Sequence, residues 1–151
     1  EALGVMRIEK GHAAGNELTG QTTARDLGMG RMVSKKKDSI GSVLSERIAL
    51  NREDGLALVG FIPVNRAEAL RAGAHFVSQN KAAILENDEG WMTSVAFSPS
   101  HGHSIGLGFI KRGAERMGET VTAVDPVRGK NISVKIVSPH FIDPEGERLR
   151  A

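Results

Sequence analysis

The 151 residues are 40% apolar and 25% charged, with a formal net charge of +2 and no cysteine. This is enough apolar material for one core and too much for a disordered chain. The lack of cysteine excludes disulfides, zinc–thiolate sites, iron–sulfur clusters and cysteine nucleophiles, and the interspersed charges do not predict nucleic-acid binding.

No apolar run approaches the ~20 residues of a membrane span, and no leader pattern is visible. The expectation is a cytoplasmic protein with neither nucleic acid nor membrane as a partner. The sequence begins at Glu1 and not at Met, so a natural start further upstream is expected.

The chain divides at the polar cluster Asn51-Arg52-Glu53-Asp54-Gly55. In the first part, residues 1–50, Leu3, Val5, Met6 and Ile8 are apolar and Gly11 follows. Ala14 to Thr23 is small and polar and reads as a loop. Ala24–Leu27 suits one helical turn ended by Gly28 and Gly30, and Met32 with Val33 a short strand. Asp38-Ser39 is a candidate cap for a helix over Ile40–Leu50, with Ile40, Val43, Leu44 and Ile48 on one face. The basic run Lys35-Lys36-Lys37 reads as a solvated loop, or as a means of steering an anionic ligand.

Residues 51–151 read as β-rich. Strand candidates are Leu56–Ile62, His75–Ser78, Ala82–Glu86, Trp91–Phe97, Ser104–Ile110, Thr120–Val124 and Asn131–Val137. In the fifth, Ile105, Leu107 and Phe109 share a face; in the last, Ile132, Val134 and Ile136 alternate with polar residues. Arg112–Met117 adds a helical turn. Many short strands separated by Gly, Asn and Asp point to a barrel or sandwich.

No spacing completes a catalytic constellation. His101-Gly102-His103 is the one close histidine pair, and it lacks a third ligand in register. It reads as a turn with exposed histidines. Ser98-Pro99-Ser100-His101 lacks the nucleophile-elbow glycines and reads as a turn between strands. Gly28-x-Gly30 and Gly106-x-Gly108 are too short for a dinucleotide fingerprint and suit bulges or close packing. Arg7, Glu9 and Lys10 read as a surface ion cluster. No catalytic and no metal-binding residue is assigned.

A family resemblance goes further. Met6-Arg7-Ile8-Glu9-Lys10-Gly11-His12, followed by Gly15-Asn16-Glu17-Leu18-Thr19, is similar to the LRLEAG…YGNEL segment of glycine cleavage T-proteins. Thr22–Gly30 resembles that family's TTPLEAGLGW, and Asp38-Ser39-Ile40-Gly41 its D-F-I-G before a helix. Thr93-Ser94 with Phe97-Ser98-Pro99 and Ser104-Ile105-Gly106-Leu107-Gly108 resembles TSGTFSP…SIALG, and Pro139 with Phe141 the closing P-x-F. These landmarks run in order along nearly the whole chain. Within this aminomethyltransferase superfamily, the wording of Glu1–His12 is most similar to the sarcosine oxidase alpha-subunit family.

The resemblance implies an α+β, mainly β fold: residues 51–151 as the family's carboxy-terminal β-barrel, residues 1–50 as the end of the folate-binding domain. It implies oxidative demethylation of sarcosine by a larger assembly, with the one-carbon unit passed to tetrahydrofolate to give 5,10-methylenetetrahydrofolate. The piece is expected to be inactive alone. Its partners would be folate, the rest of the alpha subunit and the other sarcosine oxidase subunits. FAD, FMN and NAD would lie outside these residues, as would the aspartate of the chemistry. A glycine cleavage aminomethyltransferase, a dimethylglycine oxidase-type enzyme and a non-catalytic docking module are the alternatives. The folate-tail arginine of T-proteins falls at Leu3, a departure from the pattern. Their tryptophan falls at Arg31, which could pair with the folate carboxylate or stack on the pterin. Asn16 and Glu17, by the same matching, would wall the folate channel or stabilise its loop.

Overall fold

Alternation of apolar and polar residues builds the strands, and closure into a barrel removes their open edges. The structure is a computed structural model that describes the backbone of residues 1–151 and every side chain except that of Leu149. Six strands, β1 (Leu56–Pro63), β2 (His75–Ser78), β3 (Gly90–Ser98), β4 (His103–Lys111), β5 (Thr120–Asp125) and β6 (Lys130–Val137), form a closed barrel in the order β1-β4-β3-β2-β5-β6. Every neighbouring pair is antiparallel. Three short helices accompany them: α1 (Ala2–Lys10), α2 (Ser42–Ser45) and α3 (Glu147–Arg150). The expected barrel is therefore present.

The barrel has two cores, one on each side of its wall. Val59, Phe61, Phe76, Met92, Ile110, Val121, Val134 and Ile136 fill the interior. Phe61 and Phe76 stack there with ring centroids 4.1 Å apart. The second core lies outside, where Leu58, Ile105, Leu107 and Phe109 are covered by Ile8 of α1, Ala13 and Leu27. Strand β4 is thus buried on both faces. Its large residues at 105, 107 and 109 face the outer core, and its glycines face inward. A Cβ at Gly108 would stand 2.6 Å from the Trp91 carbonyl oxygen, and one at Gly106 would stand 3.0 Å from Met92 Sδ. Close packing, not nucleotide binding, explains this glycine pair.

Helix α1 ends in a left-handed Gly11 whose cap amides reach the Arg7 and Ile8 carbonyls, with Arg7 and Lys10 in its last turn. The following chain turns at Ala14–Leu18 and again at Thr23–Gly28, and the Leu58 amide bonds the Asp26 carbonyl at 2.7 Å. Glu1–Gly28 is therefore laid over the outer wall.

Three sequence expectations fail. Ala82–Glu86 is not a strand: Asn87 Nδ2 and the Ile84 amide both donate to the Ala82 carbonyl, which curls the chain into a 3₁₀ turn at Leu85–Asn87. Met32-Val33 is not a strand either; Met32 closes a 3₁₀ turn spanning Gly30–Met32. The helix expected over Ile40–Leu50 shrinks to the single turn α2. Its apolar face finds no cover among the described residues, Ile40 and Ile48 being almost wholly exposed, and a helix this short does not hold itself in water.

Candidate functional site

A buried carboxylate organises the surface where Glu1–Gly28 meets the barrel. Glu17 has no solvent exposure. Its Oε2 accepts from Arg7 Nη1 at 3.1 Å and from the Ala14 amide at 2.8 Å. Its Oε1 accepts from the hydroxyls of Ser94, at 2.6 Å, and Thr93. The strand register shifts between Met92 and Ser94, a β-bulge at Thr93. The extra residue lets two consecutive side chains reach the same carboxylate. Arg7 completes the ring, its Nη2 donating to Ser94 Oγ at 2.7 Å.

Burial by itself would raise the Glu17 carboxyl. The hydroxyls of Ser94 and Thr93, the Ala14 amide and the Arg7 charge outweigh it and hold the group below the usual glutamate value. The anion is thus the resident form, and each of its oxygens has two donors. Asn16, next to it and exposed, reaches the Thr93 carbonyl with its Nδ2 at 3.2 Å.

Arg31 sits apart from this knot. It lies in the 3₁₀ turn Gly30–Met32, is exposed, and makes no hydrogen bond or ion pair among the described residues. Asn16 and Glu17 are brought together on the barrel's outer wall; Arg31 belongs to the exposed stretch that follows. Leu3, expected from the resemblance to fall where T-proteins carry an arginine, is 78% exposed on α1.

The expected surface ion cluster at Arg7, Glu9 and Lys10 is corrected. Glu9 is buried and accepts from Ser98 Oγ at 2.5 Å, 89 residues away, while Arg7 serves Glu17. The helix turns these two side chains toward different points of β3, which a spacing of two in sequence does not reveal. The expectation of exposed histidines at His101 and His103 is corrected too. His103 opens β4 and is only 2% exposed, with its Nδ1 on the Ser104 carbonyl at 2.8 Å. Ser98 and His101 do bracket a turn between β3 and β4, as the prolyl-seryl sequence suggested. Reading the sequence missed the parts played by Arg7, Thr93, Ser94 and Ser98, because their partners lie 76 to 89 residues away.

A closed antiparallel six-stranded barrel is the architecture of the carboxy-terminal module of aminomethyltransferase-type proteins. The chain belongs to the glycine cleavage T-protein C-terminal barrel domain family, whose model matches residues 57–143. It is 41% identical over 99% of its length to the sarcosine oxidase subunit alpha of Rhizobium meliloti (strain 1021), of which it covers 15%. It is 31% identical over 93% of its length to an aminomethyltransferase of Corynebacterium jeikeium (strain K411), of which it covers 36%. The crystal structure of the glycine cleavage system aminomethyltransferase T of Bartonella henselae matches 93% of the chain, with a TM-score of 0.69 and 25% identity, and 38% of that protein is covered. The chain thus spans a small part of the relatives it matches.

Proposed function

We propose that these residues are the carboxy-terminal part of a sarcosine oxidase alpha subunit, which passes the one-carbon unit of sarcosine to tetrahydrofolate. The observation that carries this reading is the 41% identity to a sarcosine oxidase alpha subunit across 99% of the chain. Residues 1–50 complete the folate-binding domain and residues 51–151 form the barrel that walls it. FAD, FMN and NAD belong to other parts of the cytoplasmic assembly, whose partners are the rest of the alpha subunit and the other subunits.

Tetrahydrofolate, when bound, supplies the acceptor for the one-carbon unit. The chain's own residues fit a share in holding it. Arg31 offers an exposed guanidinium without a competing partner among the described residues, suited to a carboxylate or to the face of a ring. Asn16 stands at the rim of the loop, and Glu17 fixes that loop to β3. These residues orient and exclude water; none is assigned to the chemical step.

The test is sarcosine turnover by the full-length assembly with tetrahydrofolate present. Formation of 5,10-methylenetetrahydrofolate is expected, and release of formaldehyde alone would refute the transfer. Arg31→Ala should weaken folate binding roughly tenfold, as loss of a charge-assisted contact does; unchanged affinity removes Arg31 from the site. A glycine cleavage aminomethyltransferase is the second reading, favoured by the 31% identity to such an enzyme. Turnover of an aminomethyl-lipoyl carrier, without sarcosine oxidation, would establish it instead.

A further inference from the structure

A second polar constellation lies away from Arg31, Asn16 and Glu17, where the start of β4 meets the chain after β6. A groove of about 210 Å³ is lined by Arg66, His101, His103 and His140, with Ile62 and Phe141 as apolar walls. No carboxylate lines it.

The hydrogen bonds fix the tautomer of all three imidazoles. His103 Nδ1 meets the Ser104 carbonyl at 2.8 Å, and His140 Nδ1 meets the Lys10 carbonyl at 2.9 Å. A carbonyl only accepts, so each of these nitrogens carries its proton. His101 Nδ1 lies 3.0 Å from Ser98 Oγ, whose one proton goes to Glu9 Oε1. That hydroxyl therefore accepts from His101, and this Nδ1 is protonated as well. In the neutral state every Nε2 is left with a lone pair and no partner among the described residues. His103 is the telling case. The residue is 2% exposed, yet no fully buried side-chain nitrogen or oxygen among the described residues lacks a partner, so its unpaired Nε2 keeps some access to solvent, and the residue lines the groove.

An imidazole whose Nδ1 is already protonated gains an Nε2 donor only by becoming a cation. With Arg66 beside them, three such rings make a concave surface that turns strongly cationic as protons bind. Two charged groups of α1 stand behind it. Glu9 contacts His101 through Ser98. The Lys10 ammonium is turned away to Asp143 at 3.4 Å. The rings are not arranged for a cation: no group of three histidines or carboxylates among the described residues could hold a metal ion.

We infer that this groove binds a small oxyanion, a carboxylate or phosphate bearing a short apolar body, and that it does so with uptake of protons. The Arg66 guanidinium and the protonated Nε2 groups of His101, His103 and His140 hold the oxyanion, and Ile62 and Phe141 receive the body. This site goes beyond the folate reading and does not depend on it.

The experiment is calorimetric titration of the full-length protein with inorganic phosphate and, separately, with butyrate, at pH ~6 and pH ~8. Affinity for at least one probe should be about tenfold higher at the lower pH, with proton uptake seen as a dependence of the heat on buffer ionisation. Tighter butyrate would mark a carboxylate with an apolar tail as the preferred ligand; tighter phosphate would mark a phosphate. His140→Gln and Arg66→Gln, both at exposed positions, should each weaken binding about fivefold or more. Their folate affinity should be unchanged, which separates this site from the one at Arg31. Binding of neither probe, affinity independent of pH, or full affinity in both variants would overturn the inference.

Discussion

The barrel and the stretch Met29–Leu50 contain similar raw material and meet opposite fates. Both carry aliphatic residues at regular spacing. In β6, Ile132, Val134 and Ile136 are buried; in Met29–Leu50, Met32, Ile40, Val43 and Ile48 are each more than 80% exposed. The difference is the presence of an opposing surface. Each strand of the barrel finds two neighbours, whereas the exposed stretch finds no such surface among the described residues and keeps only isolated turns. Periodicity marks a face that wants covering; it does not supply the cover. Glu1–Gly28 falls between these extremes, held to the wall by Ile8, Leu27 and the Glu17 knot.

Four measurements would break or sharpen this contrast. The largest loss is expected from Gly90→Ala at the start of β3. This glycine has φ 147°, and a Cβ there would stand 2.0 Å from the Phe109 carbonyl oxygen. Strain and clash together should cost on the order of 3 kcal/mol or more in denaturant unfolding, and an unchanged midpoint would mean that the β3–β4 pairing is far looser than described.

Glu17→Ala comes next. It strands the Arg7 charge and the two hydroxyls, and should cost about 2–4 kcal/mol, reduced from a fully buried pair because Arg7 is partly exposed. Protection of α1 amides against hydrogen exchange should fall with it, while β5 and β6 remain protected. The same knot predicts an acid response. Because the Glu17 pKa is lowered on folding, its stabilisation is present above the unfolded glutamate value and is lost as pH falls through the folded one. Chemical-shift or exchange data on α1 below pH ~4 should show it loosening before the barrel melts.

The smallest effect belongs to the exposed stretch. Ile40→Ser with Ile48→Ser should move stability of the isolated chain by less than about 0.5 kcal/mol, with amides of Met29–Leu50 exchanging near the rate of an unfolded chain. A clear destabilisation would show that this stretch packs where the structure leaves it bare.

Much of the barrel is legible in the sequence because its signal is local. All six strands coincide with apolar or alternating runs, and the turn at Pro99 lies where predicted. The failures share a cause. Ala82–Glu86 has the composition of a strand and no ladder to join. Helix α1 escapes a periodicity reading because only Ile8 among its aliphatic residues is buried, Leu3 and Met6 pointing to solvent; the informative marks were Gly11 and the basic last turn. The Glu17 knot was accessible only through resemblance to a family segment, since nothing in the spacing of Arg7, Glu17, Thr93 and Ser94 foretells that a bulge will gather them. The histidine groove was hidden for the same reason, its rings coming from the β3–β4 turn and from the chain after β6.

Strand β4 also acts as its own proofreader. Glycines and bulky residues alternate along it, one set for each core. Sliding the strand by one position would drive Ile105, Leu107 and Phe109 into an interior shaped around bare backbone, and would leave the roof of α1 resting on glycine. A mispaired barrel therefore fails on both sides at once. The steepness of that penalty, more than the strength of any one contact, gives the chain a single way to close.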